Sequence, residues 1–507
     1  MVLTAQAPPP APTIVGLFDA RKTALAKLGD RVPKSLEVSG TLKGFALNGT
    51  FHTWHDGNLD RYDEILGVRE ERTIRIGDRE YAQNPSGDVR QLKGLLAHRQ
   101  TTQDFIDSGA FLNQPQYTTL VGRTTIIGGR DTYQMRVAPP DGQPETVFLD
   151  ATTSMIDRIS YTDEDGATTI DYFDYRSVKG AILPFRQVES NGDHDYDVTE
   201  TTMGVRVNAP IAAAVFALPK STQIQTDRPL TVPIAERQGH YYTAVSIRGH
   251  DYEFLIDTGA QGVVVDSRVA AALLLVPNGR LEVSGATRVG GLGIAELDSI
   301  GIGAATLPVR VVSILDLRTA TGGAFPIDGI LGYPFFAAAE VRIDPDKMTM
   351  TIGKPGSLDV LGSKFAVDVD RQLAEINARL DGVDGRFVLD TGNGSELLIF
   401  NPFMQEHPGL IPYAGHAAVS NYGVGGSMHA IGLTIDELDM GPFRFFNRYA
   451  NVMLSQSGAF ADKFDAGNIG MATLRNFVTT FDLANGAMYL SRGARFDDGR
   501  YRSVIEQ

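Results

Sequence analysis

The alternation of apolar and polar residues divides the N-terminal part of the chain into one helical stretch and a long series of strands. Apolar positions at helical spacing in residues 14–28 predict an amphipathic helix. From about Leu36 to Pro219 the pattern changes to short alternating runs separated by Gly, Asn and Asp turns. This pattern predicts a long antiparallel sheet that follows the helix. Residues 220–229 are polar and end in Pro, which indicates a linker.

Two short apolar runs beyond this linker are each followed directly by Asp-Thr-Gly. Residues 254–260 read FLIDTGA, and residues 387–393 read FVLDTGN. Both runs are apolar at every position before the Asp, which predicts central strands that are buried on both faces. A single Asp-Thr-Gly is compatible with an ordinary strand exit, where the carboxylate caps N–H groups and Gly permits a positive φ. Two copies instead predict a duplicated unit that brings Asp257 and Asp390 to one shared site.

Further landmarks follow both copies in the same order. The distance from the Asp to the central Gly of the next glycine cluster is 34 residues in the first copy and 35 in the second. Matched order and spacing of several landmarks is a much stronger signal of an internal repeat than one motif. The paired landmarks are VGGLG at 289–293 and GVGGS at 423–427, GILG at 329–332 and GNIG at 467–470, and a closing Asp-turn-strand element at 340–352 and 478–490.

These residues resemble the aspartic proteases of the pepsin and retropepsin clan, and the glycine-rich middle segment and GNIG are most similar to bacterial single-chain tandem members. The resemblance covers about residues 228–498. It implies a mainly β, bilobal fold of two β-barrels, with lobe 1 at 228–355 and lobe 2 at 364–498. It also implies an aspartic endopeptidase that acts on a peptide or protein substrate without a cofactor or a metal.

The resemblance assigns roles to both Asp-Thr-Gly motifs. Asp257 and Asp390 would be the catalytic dyad, which shares one proton because two adjacent carboxylates do not both ionise. The threonine hydroxyls would cross-bond the two lobes, although ordinary β-branched strand filling is the alternative for them. The glycines would let the backbone approach closely and donate N–H groups to the carboxylates. The expected dyad support is Thr258, Gly259, Thr391 and Gly392.

The two glycine clusters would be flap tips. A flap needs positive φ and mobility to admit a peptide and then exclude water. A plain hairpin turn is the alternative at each cluster. Tyr422 adjoins the second cluster and would serve either as a flap aromatic or in core packing. The candidate flap residues are Gly290, Gly291, Gly293, Gly423, Gly425 and Gly426.

The second copy departs from the family pattern at two asparagines. Asn393 stands where the family usually has Ala, Ser or Thr, and Asn468 interrupts the closing Ile-Leu-Gly-type motif. Each places a polar side chain beside a buried site, where it needs a hydrogen-bond partner. The departures leave open a catalytically silent relative that binds a peptide without cutting it. In the first copy Ala260 has no hydroxyl for Asp257, so the resemblance to retropepsins implies an optimum less acidic than that of gastric pepsins.

The N-terminal sheet, residues 13–220, weakly resembles the periplasmic lipoprotein-carrier family through the stretch FLDATTSMIDRISY and the strands that follow it. The resemblance implies a half-barrel that wraps a helix and holds a lipid or lipopeptide. An accessory or prodomain-like sheet is the alternative, because analogy of fold alone is weak evidence of function. Residues 1–12 are rich in Pro and Ala and predict a disordered tail. This tail is similar to the start of an exported chain whose signal peptide is absent from the sequence, so we expect a periplasmic or secreted protein.

Composition excludes several other classes of function. The chain has 507 residues, 43% of them hydrophobic, which is enough for about three domains with cores. A net charge of −15 argues against a nucleic-acid groove. The chain has no cysteine and no apolar run that approaches the roughly 18 residues of a membrane helix. The zinc-protease, serine-elbow and phosphate-loop motifs are also missing. We expect a monomer with no metal and no transmembrane segment.

Overall fold

The computed structural model describes residues 12–126, 128–163, 166–285, 288–323, 327–412 and 418–496. Almost all of the predicted disordered tail lies outside these residues. The chain is mainly β, with large antiparallel sheets, and the predicted fold class is confirmed. No helix among the described residues is both long enough and apolar enough to cross a membrane.

The chain folds into two compact units whose segments interleave along the sequence. The first unit comprises the residues up to Gly44, Thr50–Tyr62 and Lys93–Val215. The second unit comprises Phe45–Gly49, Asp63–Leu92 and the residues from Phe216 onward. The domain boundaries given by the sequence stay a prediction.

An antiparallel sheet occupies the N-terminal part of the chain, as its alternating pattern predicts. The order of its strands is β6-β5-β4-β3-β2-β1-β13-β12-β11-β10-β9-β8-β7, so nearly all neighbours are joined by hairpins. In chain order the strands are β1 (Ser35–Gly44), β2 (Leu47–Asp56), β3 (Leu59–Leu66), β4 (Arg69–Ile76), β5 (Arg79–Gln83), β6 (Val89–Gln91), β7 (Thr118–Ile126), β8 (Arg130–Val137), β9 (Glu145–Asp150), β10 (Ile156–Thr162), β11 (Ala167–Val178), β12 (Ala181–Ser190) and β13 (Val198–Val207).

Two helices supply the core of the first unit. The helix α1 (Ile14–Lys27) starts after Thr13, whose Oγ1 accepts a hydrogen bond from Gly16 N at 3.1 Å. The helix α2 (Gly94–Asp107) lies between β6 and β7 along the chain. The helices bury Leu17, Phe18 and Ile106 against apolar residues of β8, β9 and β10, and this burial is the main stabilising contribution.

One buried carboxyl of this unit has no hydrogen-bond partner among the described residues. The side chain of Glu145 is 1% exposed, and neither of its oxygens has a hydrogen-bond partner among the described residues. Burial, followed by the charge of Asp107, raises the pKa of Glu145 to about 8. Because the folded state holds this proton more tightly than the unfolded state, its contribution to stability falls as pH rises from the usual glutamate value towards 8.

We therefore expect Glu145→Gln to stabilise the chain more at pH 8 than at pH 5. The gain at pH 8 is expected to be about 1–3 kcal/mol, the usual cost of a buried polar group without a partner. Thermal unfolding of the wild type and the variant at both pH values measures it. An equal change of the midpoint at both pH values would show that the carboxyl does not titrate in this range.

The second unit contains a duplicated sheet. The first copy has the order β15-β16-β17-β22-β18-β21-β20-β19, and the second has β26-β27-β32-β28-β31-β30-β29. Apart from the extra edge strand β15, the two copies have equivalent strands in the same order, including an additional pairing at equivalent positions, β16–β20 and β26–β30. The strands are β15 (Ala235–Arg237), β16 (His240–Ile247), β17 (His250–Ile256), β18 (Val263–Asp266), β19 (Asn278–Ser284), β20 (Arg288–Ile302), β21 (Ala305–Leu315), β22 (Gly329–Leu331), β26 (Glu375–Leu380), β27 (Val383–Asp390), β28 (Leu397–Ile399), β29 (Ala418–Gly423), β30 (Gly426–Met440), β31 (Phe443–Met453) and β32 (Gly467–Gly470).

A six-stranded sheet joins the two copies, which we call the first and second repeats. Its order is β14-β24-β23-β33-β34-β25, so each repeat contributes three neighbouring strands. These strands are β14 (Leu230–Pro233), β23 (Glu340–Asp344), β24 (Thr349–Gly353), β25 (Ser363–Ala366), β33 (Phe477–Asp482) and β34 (Ala487–Arg492). One continuous apolar core, with Phe336 and Phe481 in edge-to-face contact, runs through both repeats.

The remaining elements are short helices that connect these strands. The α-helices of the second unit are α3 (Ser267–Ala272), α4 (Leu317–Ala320), α5 (Tyr333–Ala338), α6 (Asn401–Glu406) and α7 (Met471–Leu474). The 3-10 helices of the chain are Ala110–Asn113, Pro115–Tyr117, His194–Tyr196, Ala213–Phe216, Ala459–Ala461 and Leu483–Asn485.

Candidate active site

The two aspartates lie at equivalent ends of the central strands of the two repeats. Asp257 directly follows β17, which pairs in parallel with β22, and Asp390 ends β27, which pairs in parallel with β32. The residues before them are fully buried, including Ile256 and Leu389 at 0% exposure. The apolar runs therefore hold both strand ends firmly, and each aspartate emerges where its strand leaves the core.

The two threonines tie these strand ends together. Thr258 N donates to Thr391 Oγ1 and Thr391 N donates to Thr258 Oγ1, each at 3.0 Å. Each hydroxyl donates in turn to a carbonyl of the other repeat, Thr258 to Leu389 O at 2.6 Å and Thr391 to Ile256 O at 2.9 Å. Both side chains are 1% exposed. This reciprocal network fixes the relative position of the two aspartates.

The glycines of the two motifs permit close approach of the carboxyls. Gly259 N donates to Asp257 Oδ1 and Gly392 N donates to Asp390 Oδ1, each at 2.8 Å. A Cβ added at Gly392 would lie 2.3–2.4 Å from the atoms of the Asp257 carboxyl. A Cβ added at Gly259 would lie 2.5–2.7 Å from those of Asp390. Only glycine leaves room for the opposite carboxyl at these two positions.

The two carboxyls approach each other closely, since each lies against the glycine of the other motif. Burial is the largest cause that raises the pKa of Asp257 well above its usual range, and the charge of Asp390 and the hydrogen bond between the carboxyls add to it. Hydrogen bonds from the backbone of Gly259 and Ala260 oppose the shift only in part. The pair therefore holds one proton over a wide range of pH.

Both asparagines of the second repeat have hydrogen-bond partners at the dyad. Asn468 Nδ2 donates to Asp390 Oδ2 at 2.5 Å, and Asn393 Nδ2 donates to Asn468 Oδ1 at 2.9 Å. Asn393 N also donates to Asp390 Oδ1, at 3.0 Å. Asn468 is 4% exposed. The polar side chains that the sequence places beside the site thus pair with each other and with a dyad carboxylate.

His240 is a neighbour of the dyad that the sequence does not reveal. Its Nε2 would lie 3.0 Å from a Cβ added at Gly394, so the ring of this first-repeat residue packs against the second repeat. Burial lowers the pKa of His240, and the charge of Asp390 and a hydrogen bond with the backbone of Gly392 oppose that shift. No motif surrounds His240 in the sequence, so only the tertiary structure identifies it.

The glycines of the first cluster lie within β20, the second strand of the β19–β20 hairpin. The connection between β19 and β20 spans residues 285–287, of which Gly285 is described. Gly290 and Gly293 are paired residues of β20. Gly291, with a φ of +88°, is the extra residue at a shift of register, which is a β-bulge.

The second cluster forms the turn of the equivalent hairpin. Gly423 pairs with Gly426, and Val424 and Gly425 form the two-residue turn between them. Gly425 and Gly426 have φ of +105° and +104°, values that favour glycine. The side chain of Tyr422 lies outside the described residues, so its predicted role stays a prediction.

The tips of the two hairpins contact each other and the opposite repeats. A Cβ added at Gly285 would lie 2.4 Å from Val424 O. Gly285 O accepts a hydrogen bond from Ala459 N of the second repeat, and Gly425 N donates to Ala320 O of the first, both at 2.9 Å. These hydrogen bonds connect the two repeats at the hairpin tips, in addition to those at the dyad.

The face of the first unit that carries the helices also holds a series of polar pairs. Strand alternation places Tyr161 on the same face as the core residue Ile159, and its hydroxyl donates to Glu189 at 3.1 Å. On the next strand Glu200 accepts from Tyr62 at 2.7 Å and from Gln187 at 2.5 Å. The predicted lipid or lipopeptide ligand of this unit stays a prediction. Among the described residues no group of His, Asp or Glu is arranged to hold a metal ion.

Comparison with known proteins relates the region of the dyad to proteases. The model of a family described as aspartyl protease matches residues 243–335, which contain Asp257 and the first GILG. None of the curated proteins matches the chain.

Several solved structures share parts of the fold at low similarity. A DUF1329 family protein from Desulfovibrio piger ATCC 29098 is 12% identical over 40% of this chain and 97% of that one, with a TM-score of 0.29. A LolA superfamily protein from Nitrosomonas europaea is 14% identical over 39% of this chain and 97% of that one, with a TM-score of 0.28. A retropepsin-like aspartic protease from Rickettsia conorii is 19% identical over 27% of this chain and 96% of that one, with a TM-score of 0.18.

Proposed function

We propose that the chain is an aspartic endopeptidase that hydrolyses peptide bonds with a water activated by Asp257 and Asp390. The observation that carries this proposal is the dyad itself. Two carboxyls from equivalent strand ends lie close together, and a reciprocal threonine network holds them there. The aspartyl protease family match over residues 243–335 supports the same assignment.

The proposed reaction needs one ionised and one protonated carboxyl at the start. Water lies between the carboxyls and attacks the carbonyl carbon of the peptide. One carboxylate accepts the proton of the water, and the other carboxyl donates its proton to the carbonyl oxygen, which gives a neutral tetrahedral diol. A proton from the dyad then reaches the amine as the C–N bond breaks, and one hydroxyl of the diol returns its proton to the other carboxylate as the carbonyl re-forms. The raised pKa of Asp257 supports its role as the group that supplies the acid.

In this proposal the two hairpins act as flaps that cover the bound peptide. Two hydrogen bonds hold their tips to the opposite repeats, Ala459 N to Gly285 O and Gly425 N to Ala320 O. A peptide would enter when these bonds open, and closure would then exclude bulk water from the dyad.

Cleavage of casein tests the proposal. We expect the wild-type chain to cut unfolded casein in an assay that covers about pH 3 to about pH 8, because the reaction needs one ionised and one protonated carboxyl. We expect Asp257→Asn and Asp390→Asn each to lower the rate by at least about a hundredfold, because each removes one half of the acid–base pair. Addition of pepstatin to the wild type, with fragments followed by mass spectrometry, gives an independent measure of the same site.

Asp251→Asn is the matched control, because Asp251 is an exposed carboxyl on the strand that leads to Asp257. It should cut casein at the wild-type rate. Cleavage that survives both dyad substitutions would point to a contaminating protease. No cleavage by a folded wild-type chain at any pH would favour the catalytically silent relative, in which the same cleft binds a peptide without cutting it.

A further inference from the structure

Asn468 breaks the symmetry of the two repeats at the dyad. The strand pairing that sets Val388 opposite Asn468 sets Leu255 opposite Ile330 in the first repeat. The position next to Asp390 is therefore an amide, and the equivalent position next to Asp257 is a buried hydrocarbon. Both aspartates accept from the backbone of their own motif, and the side chain at 468 or 330 is one difference between their surroundings, beside Asn393 and His240 near Asp390.

A chain of hydrogen bonds fixes the direction in which the Asn468 amide points. Ser395 N can only donate, and it donates to Asn393 Oδ1 at 2.9 Å. The Asn393 amide therefore presents its Nδ2 to Asn468 Oδ1. Asn468 must then present its own Nδ2 to Asp390 Oδ2. The orientation of both amides follows from one backbone N–H group, without a choice between amide flips.

A fixed N–H donor favours one site for a proton shared by the two carboxyls. The amide nitrogen of Asn468 cannot accept a hydrogen bond, so Asp390 Oδ2 is an acceptor there. Asp390 Oδ1 also accepts from Gly392 N and Asn393 N. Because a carboxylate oxygen is a stronger acceptor than the O–H oxygen of an acid, these three donors favour the ionised form of Asp390, and the shared proton is then favoured on Asp257. Hydrogen bonds donated to a carboxylate favour its ionised form.

We propose that Asn468, oriented by Asn393, is a positioning residue that keeps Asp390 ionised and places the shared proton on Asp257. The proposal rests on the proposed function for its catalytic consequence. Asp390 would take the proton of the attacking water, and Asp257 would donate its proton to the carbonyl oxygen. The new C–O bond forms as these two protons move, and the dyad keeps the same number of protons.

The test is the pH profile of kcat/KM for casein-derived peptide cleavage in Asn468→Ile, which makes the second repeat like the first. On the acid side of this profile the rate falls as the base becomes protonated. We expect this acid limb to lie about one pH unit higher in Asn468→Ile, so that the rate at a given pH on that limb is about tenfold lower. Asn393→Ala should move the same limb in the same direction by less, because it releases the Asn468 amide without removing it. This second variant keeps the test available if Asn468→Ile does not fold.

The controls separate positioning from a structural effect. Ile330→Val changes packing at the equivalent buried position and should leave the acid limb in place. His240 also faces Asp390, and among the described residues it and the two aspartates are the titratable groups that interact at the dyad. Repeating the comparison in a His240→Gln background removes the titration of that imidazole. A loss of rate in Asn468→Ile that is equal at every pH would overturn the proposal.

A second readout does not depend on activity. In protein labelled with ¹³C at the aspartate carboxyls, Asp257→Asn and Asp390→Asn identify the two dyad signals. We expect the Asp390 signal at an ionised position and the Asp257 signal at a protonated position at neutral pH, and a smaller difference in Asn468→Ile. An Asp390 signal at a protonated position would overturn the proposal, even in a chain that cuts nothing. The expected signals together with no cleavage would instead contradict only the proposed function.

Discussion

Gly392→Ala and Gly259→Ala are each expected to lower kcat/KM for peptide cleavage by at least about a hundredfold, since a displacement of about 1 Å in a catalytic site has an effect of that size. The added methyl of Gly392→Ala would lie 2.3–2.4 Å from the Asp257 carboxyl, and that of Gly259→Ala 2.5–2.7 Å from the Asp390 carboxyl. No pair of atoms stays at these separations, so the carboxyls must move apart. The backbone hydrogen bonds and the threonine network can remain, so thermal unfolding should change little compared with activity.

Gly262→Ala is the matched control for this pair. Gly262 lies three residues beyond Gly259, and a Cβ added there would meet only Ser313 Oγ, at the ordinary distance of 3.7 Å. The control tests whether an extra methyl near the motif has a general effect on activity. If Gly259→Ala and Gly392→Ala cut peptides within a few-fold of Gly262→Ala, the close approach of the carboxyls is not needed for the reaction.

The strands and the repeat could be predicted from the sequence because they depend on local pattern. The apolar runs before Asp257 and Asp390 predict buried central strands, and β17 and β27 lie there with their apolar residues in the core. The predicted helix at 14–28 is α1, Ile14–Lys27. These features are set by side-chain periodicity within a few residues, which a sequence displays directly.

The hairpin of the first repeat shows where local pattern is insufficient. A glycine with positive φ is needed both in a tight turn and in a β-bulge, so VGGLG does not distinguish the two structures. The structure uses Gly291 in a bulge and places the connection of the strands earlier, at 285–287. Pairing of β20 with β21 sets this register, and β21 begins beyond the cluster at Ala305.

Contacts between distant residues account for most of what the sequence did not predict. The departure at Asn468 was visible in the motif, but its partners Asn393 and Asp390 lie 75 and 78 residues away. Arg371 stands in a charged stretch that resembles a surface loop, yet its side chain is 2% exposed. Two of its partners, Asp462 and Asp465, follow 91 and 94 residues later. No local pattern indicates that these carboxylates surround an arginine.

Arg371→Met is expected to lower the free energy of unfolding by about 3–5 kcal/mol, the usual cost of removing one partner from a buried ion pair. Arg371 Nε donates to Glu375 Oε1 at 3.0 Å, and its terminal nitrogens bind Asp462 and Asp465. Without this guanidinium the carboxylates keep Arg386, which pairs with Glu375 and Asp465, but they lose the cation that they surround in a site from which water is excluded. Denaturant unfolding of the wild type and the variant at neutral pH measures the difference.

Two comparisons test whether the lost stability comes from the buried carboxylates. The first compares the loss at two pH values, and the second substitutes an exposed arginine. The cost should be smaller at pH 5, because the buried carboxylates keep Arg386 but lose Arg371, so that they bind protons more readily and lose their charge. Burial, followed by the charge of Asp465, already raises the pKa of Glu375 to about 8 with the cation present. Arg379→Met removes an exposed ion pair with Asp384 and should cost much less than Arg371→Met at either pH, because solvent screens an exposed pair. A similar cost for both variants would mean that Arg371 does not neutralise a buried cluster.

The cluster is also connected to the dyad. Gln261, which lies four residues beyond Asp257, donates its Nε2 to Arg371 O at 2.8 Å. Loss of the cluster should therefore also lower activity at temperatures below global unfolding.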